Sequence, residues 1–159
     1  MTVIDLFEHN KTAYDSAVSL LSETGKAAVI HPTGTGKSLI GFQLCEDHPD
    51  QTICWLSPSE YIFKTQLENL AKVSGGWQPE NIRFCTYARL MNLPEQELAD
   101  IQPGYIILDE FHRCGAQEWG KGVAALLGMY AGVPILGLSA TNIRYLDNQR
   151  DMADELFDG

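Results

Sequence analysis

The stretch Ala27-Ala28-Val29-Ile30-His31-Pro32-Thr33-Gly34-Thr35-Gly36-Lys37-Ser38 decides how this chain is read. Four apolar residues of strand length run into a turn holding two glycines. The turn opens into Ser38–Asp47, whose pattern is helical and which Pro49 closes. Gly34 and Gly36 carry no Cβ, so the backbone between them can curl with its N–H groups pointing inward at a phosphate. A helix beginning at Lys37 adds its positive amino-terminal dipole to that cradle. Lys37 can bring a point charge to the β- and γ-phosphates, and the Ser38 hydroxyl can ligate Mg²⁺. Thr33, Gly34, Thr35, Gly36, Lys37 and Ser38 are therefore the candidate nucleotide-binding residues, with Lys37 also in a catalytic role. The general phosphate-loop pattern has glycine where this chain has His31.

On either side of this stretch, apolar strand-length runs alternate with helical ones. Lys11–Glu23 has Ala13, Ala17, Leu20 and Leu21 at helical spacing and ends at Gly25. Thr52–Leu56, Ile82–Thr86, Tyr105–Leu108 and Ile135–Leu138 read as further strands. Between them Ser59–Ser74, short pieces at Ala88–Asn92 and Glu95–Ala99, and Gly122–Tyr130 read as helices, and Asn148–Phe157 reads as a last one. Strands that are apolar throughout and separated by helices predict an α/β fold of three layers, a mostly parallel central sheet with helices on both faces. Ligands of such sheets bind beyond the carboxyl ends of the strands, where the phosphate-loop candidate lies.

Length and composition agree with one such domain. The chain has 159 residues, 45% hydrophobic and 20% charged, with no repeat and no Pro/Gly/Ser linker. Its formal net charge of −10 argues against a small basic nucleic-acid-binding module, whose affinity comes mainly from neutralising phosphates. No apolar run reaches the roughly 18 residues that span a bilayer, and the amino terminus lacks the basic and apolar regions of a signal peptide. No two of Cys45, Cys54, Cys85 and Cys114 have C-x-x-C spacing, so neither a zinc knuckle nor a thioredoxin-type site is indicated. Cys54 and Cys85 fall inside strand-like runs, where a free thiol acts as a small hydrophobe. A cytoplasmic location, without membrane partners, is the expectation.

The Tyr105–Leu108 strand runs into Asp109-Glu110-Phe111-His112. A carboxylate at a strand end beside a phosphate loop can hold Mg²⁺, and its neighbour can orient and deprotonate an attacking water. Asp109 takes the metal role with Ser38, and Glu110 the role of base. Neighbouring side chains on a strand point to opposite faces, so the turn after Asp109 has to bring both carboxylates inward.

With these motifs in order, the chain resembles the first RecA-like domain of a superfamily 2 DExH-box helicase or translocase. Within that group it is similar to the type III restriction enzyme helicase-subunit branch. Pro32–Ser38 resembles that superfamily's phosphate loop; a GTPase would need Asn-Lys-x-Asp, and the only Asn-Lys, Asn10-Lys11, is followed by Thr12-Ala13. Leu138-Ser139-Ala140-Thr141 matches the family's Ser-Ala-Thr motif, Arg144 matches the arginine of Pro-x-Arg, and Leu156–Gly159 resembles the branch's Leu-Phe-Gly element. The resemblance implies a P-loop NTPase fold, ATP and Mg²⁺ as cofactors, and coupling roles for His112, Ser139 and Thr141. It puts Asn10 where the family has an adenine-reading glutamine. Leu56-Ser57-Pro58 with Gln66, and Thr86-Tyr87-Ala88-Arg89-Leu90, resemble motifs that touch the nucleic-acid backbone, which implies contacts from Pro58, Ser59, Gln66 and Thr86. Such contacts track phosphates without reading sequence.

The resemblance also implies a second RecA-like domain, which supplies arginine fingers and half of the nucleic-acid track. No Q-x-x-G-R-x-x-R pattern occurs in these 159 residues, so residues 1–159 are expected to form one RecA-like domain, with 1–25 as a helical lead-in. Expected on this basis is the ATP-binding half of a nucleic-acid-dependent ATPase that binds Mg-nucleotide and hydrolyses it poorly by itself. DNA is favoured over RNA by the restriction-like ending. An RNA-directed helicase module and a nucleotide-binding interaction module without catalysis are the competing readings.

Overall fold

Five parallel strands form the centre of the molecule in the order β1-β5-β4-β2-β3. The computed structural model describes residues 8–30, 37–109, 117–139, 143–144 and 150–151. In chain order these residues form α1 (Glu8–Thr24), β1 (Lys26–Ile30), α2 (Lys37–Asp47), β2 (Ile53–Ser57), α3 (Glu60–Val73) and β3 (Ile82–Thr86). There follow α4 (Tyr87–Leu90), α5 (Glu95–Ile101), β4 (Tyr105–Asp109), α6 (Gln117–Met129), β5 (Ile135–Ser139), and the two-residue β6 (Ile143–Arg144) and β7 (Arg150–Asp151). The α/β class, the parallel sheet and the helical layers agree with the sequence reading.

Alternation along the strands sorts the core into two halves. Ile53, Trp55, Ile107, Leu136 and Leu138 pack with Ala17 and Leu21 of α1, Ile40 and Leu44 of α2 and Leu70 of α3. Cys54, Leu56, Ile106, Leu108 and Ile135 pack on the other side with Tyr87, Leu90, Leu98, Ile101, Val123 and Leu126 of α4, α5 and α6. The steps β1→β2→β3 run one way along the strand order and carry α2 and α3. The steps β3→β4→β5 run back and carry α4, α5 and α6. The helices change face where the direction reverses, so all the crossovers share one hand, as the twist of parallel strands requires.

Several elements depart from the local pattern. α1 starts at Glu8 and α6 at Gln117, ahead of the expected Lys11 and Gly122. Gly120 and Gly122 are poor helix formers, by about 1 kcal/mol each relative to alanine, but burial of Val123 and Leu126 one turn on carries the helix through them. The expected helix Asn148–Phe157 is corrected at Arg150 and Asp151, which pair antiparallel with Arg144 and Ile143. Pairing with a preceding strand supplies those backbone partners, and local periodicity does not report it. The other residues of that expected helix lie outside the described ones.

Two glycines are needed where they stand. Gly25 ends α1 with φ at 79°, and its N–H donates to Leu21 O at 3.0 Å. Gly41 lets the Trp55 ring lie against the backbone of α2, since a Cβ there would come within 2.7 Å of the indole. Trp55 has no room to retreat: it is fully buried, stacked on Phe42 with centroids 4.7 Å apart and tilted against Phe63 at 5.5 Å.

At the amino edge of the sheet, polar side chains tie α2 to its surroundings. The Asn81 amide donates to the carbonyls of Cys45, His48 and Gln51 at 3.2, 3.0 and 3.0 Å. The Nδ1–H tautomer of His48 satisfies both of its contacts, donating to Leu44 O at 2.9 Å and accepting from the Tyr105 hydroxyl at 3.1 Å. Tyr14 of α1 donates to the Asp47 carboxylate, which also accepts from Gln43 at 3.0 Å. Burial, and then the hydrogen bond and charge of Asp47, push the Tyr14 phenol above its ordinary pKa. Among the described residues no helix is long and apolar enough to cross a membrane.

Gly41→Ala should therefore destabilise the protein by roughly 1–3 kcal/mol, the usual cost of overpacking a core. Gly128→Ala, in α6 with nothing within 4 Å of the added Cβ, should stabilise it by up to about 1 kcal/mol. Chemical denaturation of the two variants beside the wild type measures both signs. Cys45, Cys54 and Cys85 are free and buried, and burial raises all three thiols, Cys54 to about 12. All three should resist an aromatic disulfide reagent at pH 8 in the native state and react promptly in denaturant, with peptide mapping to assign the sites.

Candidate functional site

Register places the carboxyl ends of three strands level with one another. Ile30, the last residue of β1, lies opposite Ser139, the last of β5. Leu138 lies opposite Asp109, the last residue of β4. Because β5 sits between β1 and β4, the ends of β1 and β4 lie two strand spacings apart, about 10 Å. α2 opens at Lys37 on the chain that returns from β1, with Ser38 half-buried as its second residue.

Asp109 is fully buried. Alternation puts its side chain on the Ile107 side of the sheet, the side that α2 and α3 cover. There Gln66 of α3 donates from Nε2 to Asp109 Oδ2 at 2.7 Å. An ionised carboxylate only accepts, so the amide presents its NH₂ to Asp109 and turns Oε1 away. Gln66 Oε1 is buried and has no hydrogen-bond partner among the described residues. From the opposite face the buried Tyr87 donates its hydroxyl proton to the main-chain carbonyl of Asp109, again at 2.7 Å. The residue that ends β4 is thus held through its side chain by one helical layer and through its backbone by the other.

Farther along the same edge, Ser57 of β2 lies opposite Thr86 of β3, and α3 and α4 begin beyond these two strand ends on opposite faces of the sheet. Ser59 caps α3, its Oγ accepting from Ile62 N at 3.1 Å, and Ser57 donates to Ser59 O at 3.3 Å. Thr86 caps α4, its Oγ1 accepting from Arg89 N at 3.1 Å. Each capping hydroxyl spends a lone pair on its own helix and keeps its proton for an outside acceptor. Pro58 lies between Ser57 and the cap.

The residues singled out from sequence fall into distinct places. Lys37, Ser38, Asp109, Ser139, Pro58, Ser59 and Thr86 all come to the carboxyl edge of the sheet, and Asn10 lies in α1. Gln66, read from its motif as a nucleic-acid contact, turns its amide to Asp109. Thr33, Gly34, Thr35, Gly36, Glu110, His112 and Thr141 lie outside the described residues. Sequence reasoning missed Tyr87 as a support for Asp109, although the Thr-Tyr-x-x-Leu pattern marks it. It had no means to find the Gln66–Asp109 pair, 43 positions apart.

Ser38 and Asp109 offer a hydroxyl and a carboxylate, hard oxygen donors of the kind Mg²⁺ takes. That ion keeps several waters and needs one or two protein ligands beside substrate phosphates. Among the described residues no group of three or more His, Cys, Asp or Glu is placed to hold a metal by itself. The donor set fits Mg²⁺ carried in with a nucleotide.

Comparison with known proteins agrees with this fold. A family model described as "Type III restriction enzyme, res subunit" matches residues 3–144. The fold is similar to that of the Pyrococcus furiosus Hef helicase domain, with a TM-score of 0.67 and 19% identity over 94% of this chain and 35% of that one. It is also similar to the Escherichia coli DEAH/RHA helicase HrpB, with a TM-score of 0.66 and 21% identity over 82% of this chain and 19% of that one. A third likeness is to the ATP-dependent type ISP restriction-modification enzyme LlaBIII, with a TM-score of 0.63 and 18% identity over 87% of this chain and 13% of that one. The chain spans about a third or less of the length of these three proteins. No curated protein sequence gives a significant match. With the family model covering most of the chain, and with the strand order and level strand ends just described, the protein belongs to the type III restriction enzyme res-subunit family and has the fold of the first RecA-like domain of superfamily 2 helicases.

Proposed function

We propose that this chain binds Mg-ATP at the carboxyl edge of its sheet and is the nucleotide-binding half of an ATPase that moves on nucleic acid. The observation that carries the reading is the level ending of β1, β5 and β4, with the fully buried Asp109 at one strand end and α2 opening at Lys37 beside another. In this reading Thr33–Gly36 wrap the phosphates with backbone N–H groups, and Lys37 supplies the positive charge. Ser38 and Asp109 hold the metal, and Asn10 approaches the base. Glu110 takes a proton from the attacking water. Mg²⁺, when bound, supplies charge neutralisation at the phosphates. His112, Ser139 and Thr141 link nucleotide state to the rest of the motor.

Pro58, Ser59 and Thr86 are the proposed nucleic-acid contacts of this half. A cap hydroxyl that accepts from its own helix can still donate its proton, which suits a phosphate at a helix start and carries no base information. DNA is favoured over RNA by the family's restriction-enzyme character and by the fold's likeness to an enzyme whose structure is described as bound to DNA. With a net charge of −10, this half should hold nucleic acid weakly without a second RecA-like domain. That domain would also supply the arginine fingers, worth about 10³–10⁵ in rate for phosphoryl transfer.

Mg-ADP at 100 times its dissociation constant should stabilise the wild type by roughly 2.7 kcal/mol, and Lys37→Ala should abolish most of that gain. Thermal or chemical denaturation with and without ligand measures it. An equal gain in both proteins would mean that the nucleotide sits elsewhere. The 159-residue chain alone should turn over ATP slowly whether or not DNA is present. A phosphate-release assay showing robust DNA-stimulated turnover would overturn the reading of this chain as half of a site.

A further inference from the structure

We infer that Gln66 and Tyr87 are positioning residues for Asp109, and that Gln66 serves the metal-binding carboxylate and is not a nucleic-acid contact. This inference rests on the reading of Asp109 as the Mg²⁺ carboxylate. Gln66 Nε2 lies 2.7 Å from Asp109 Oδ2, a charge-assisted hydrogen bond at the short end of its range. The opposite side of the amide, Oε1, is buried without a partner among the described residues, so the carboxylate alone orients it. A buried acceptor left without a partner is uncommon in folded proteins and calls for a reason. Holding the carboxylate of Asp109 at a fixed rotation is such a reason, because outer hydrogen bonds orient the groups that ligate a metal.

The second hold acts on the main chain. Tyr87 is fully buried among the side chains of α4, α5 and α6, and its hydroxyl bonds Asp109 O at 2.7 Å. Gln66 fixes the carboxylate, and Tyr87 fixes the strand end from which it projects. The two supports come from different faces of the sheet. Each also belongs to a segment whose start lies on the proposed nucleic-acid edge: Gln66 is two turns along α3 from the Ser59 cap, and Tyr87 is the first residue of α4, beside the Thr86 cap. A side chain turned inward to Asp109 is not presented to a polymer passing over those helix starts.

The test separates metal-dependent from metal-independent nucleotide binding. The dissociation constant for ADP is measured calorimetrically in Mg²⁺ and in EDTA for the wild type, Gln66→Leu, Gln66→Asn and Tyr87→Phe. Asparagine keeps the amide but is too short to reach Asp109, and phenylalanine keeps the ring packing while losing only the hydroxyl. All three variants should lose about tenfold of the tightening that Mg²⁺ confers, with the EDTA value unchanged. A merely structural role would weaken both values together, which would overturn the inference, as would an unchanged Mg²⁺ increment. Gln66→Asn guards against a folding failure in the leucine variant. No ADP binding by the wild type would overturn the parent reading and this inference with it, whereas normal wild-type binding with an unaffected Gln66 series overturns this inference alone.

Discussion

A parallel sheet covered on both faces leaves almost no place for a polar side chain except the ends of its strands, and this constraint governs the molecule. Ile53–Leu56 of β2 and Ile106–Leu108 of β4 have no exposed surface at all. A charge in the middle of either strand would sit in hydrocarbon without a partner. The strands leave that environment at their carboxyl ends, and there the buried polar residues Ser57 and Asp109 occur. Chemistry is confined to one edge by the same packing that makes the sheet stable. The right-handed return of each helix then sets which strand ends share that edge.

Confinement creates a second requirement. Asp109 is as buried as the leucine before it, and a carboxyl group in that setting needs hydrogen-bond partners. Gln66 meets part of the requirement from α3, and Tyr87 holds the backbone from α4. Both helices continue from strands, β2 and β3, that lie on the far side of β4 from β1. The half of the sheet remote from β1 therefore still contributes to the geometry around Asp109.

Much of this was legible in the residues. The strand-length apolar runs, the helices between them and the two glycines before Lys37 are local signals, and the central sheet follows from them. The strand ends at Asp109 and Ser139 could be picked out because motif residues interrupt apolar runs there. Other features are not local. Arg150 and Asp151 pair with a strand several residues back, and Gly120 and Gly122 are helical because neighbours further along are buried, so residue preference misleads in both places. Gln66 shows the same limit at the site. Its partner Asp109 lies 43 positions away and is brought to it only by the packing of α3 over β4. Ser59 and Thr86, expected from the resemblance as nucleic-acid contacts, are each also the cap that starts a helix.

Asn81 gives the far end of this architecture a mechanical meaning. Its amide binds three carbonyls around the carboxyl end of α2, and its own carbonyl receives Ile53 N at 2.8 Å. α2 is 11 residues long, about 16 Å at the rise of an α-helix, and Lys37 stands at its opposite tip. Tied at its base by Asn81 and packed at Gly41 against the flat ring of Trp55, α2 is anchored at the end opposite Lys37 and along the face turned to the sheet.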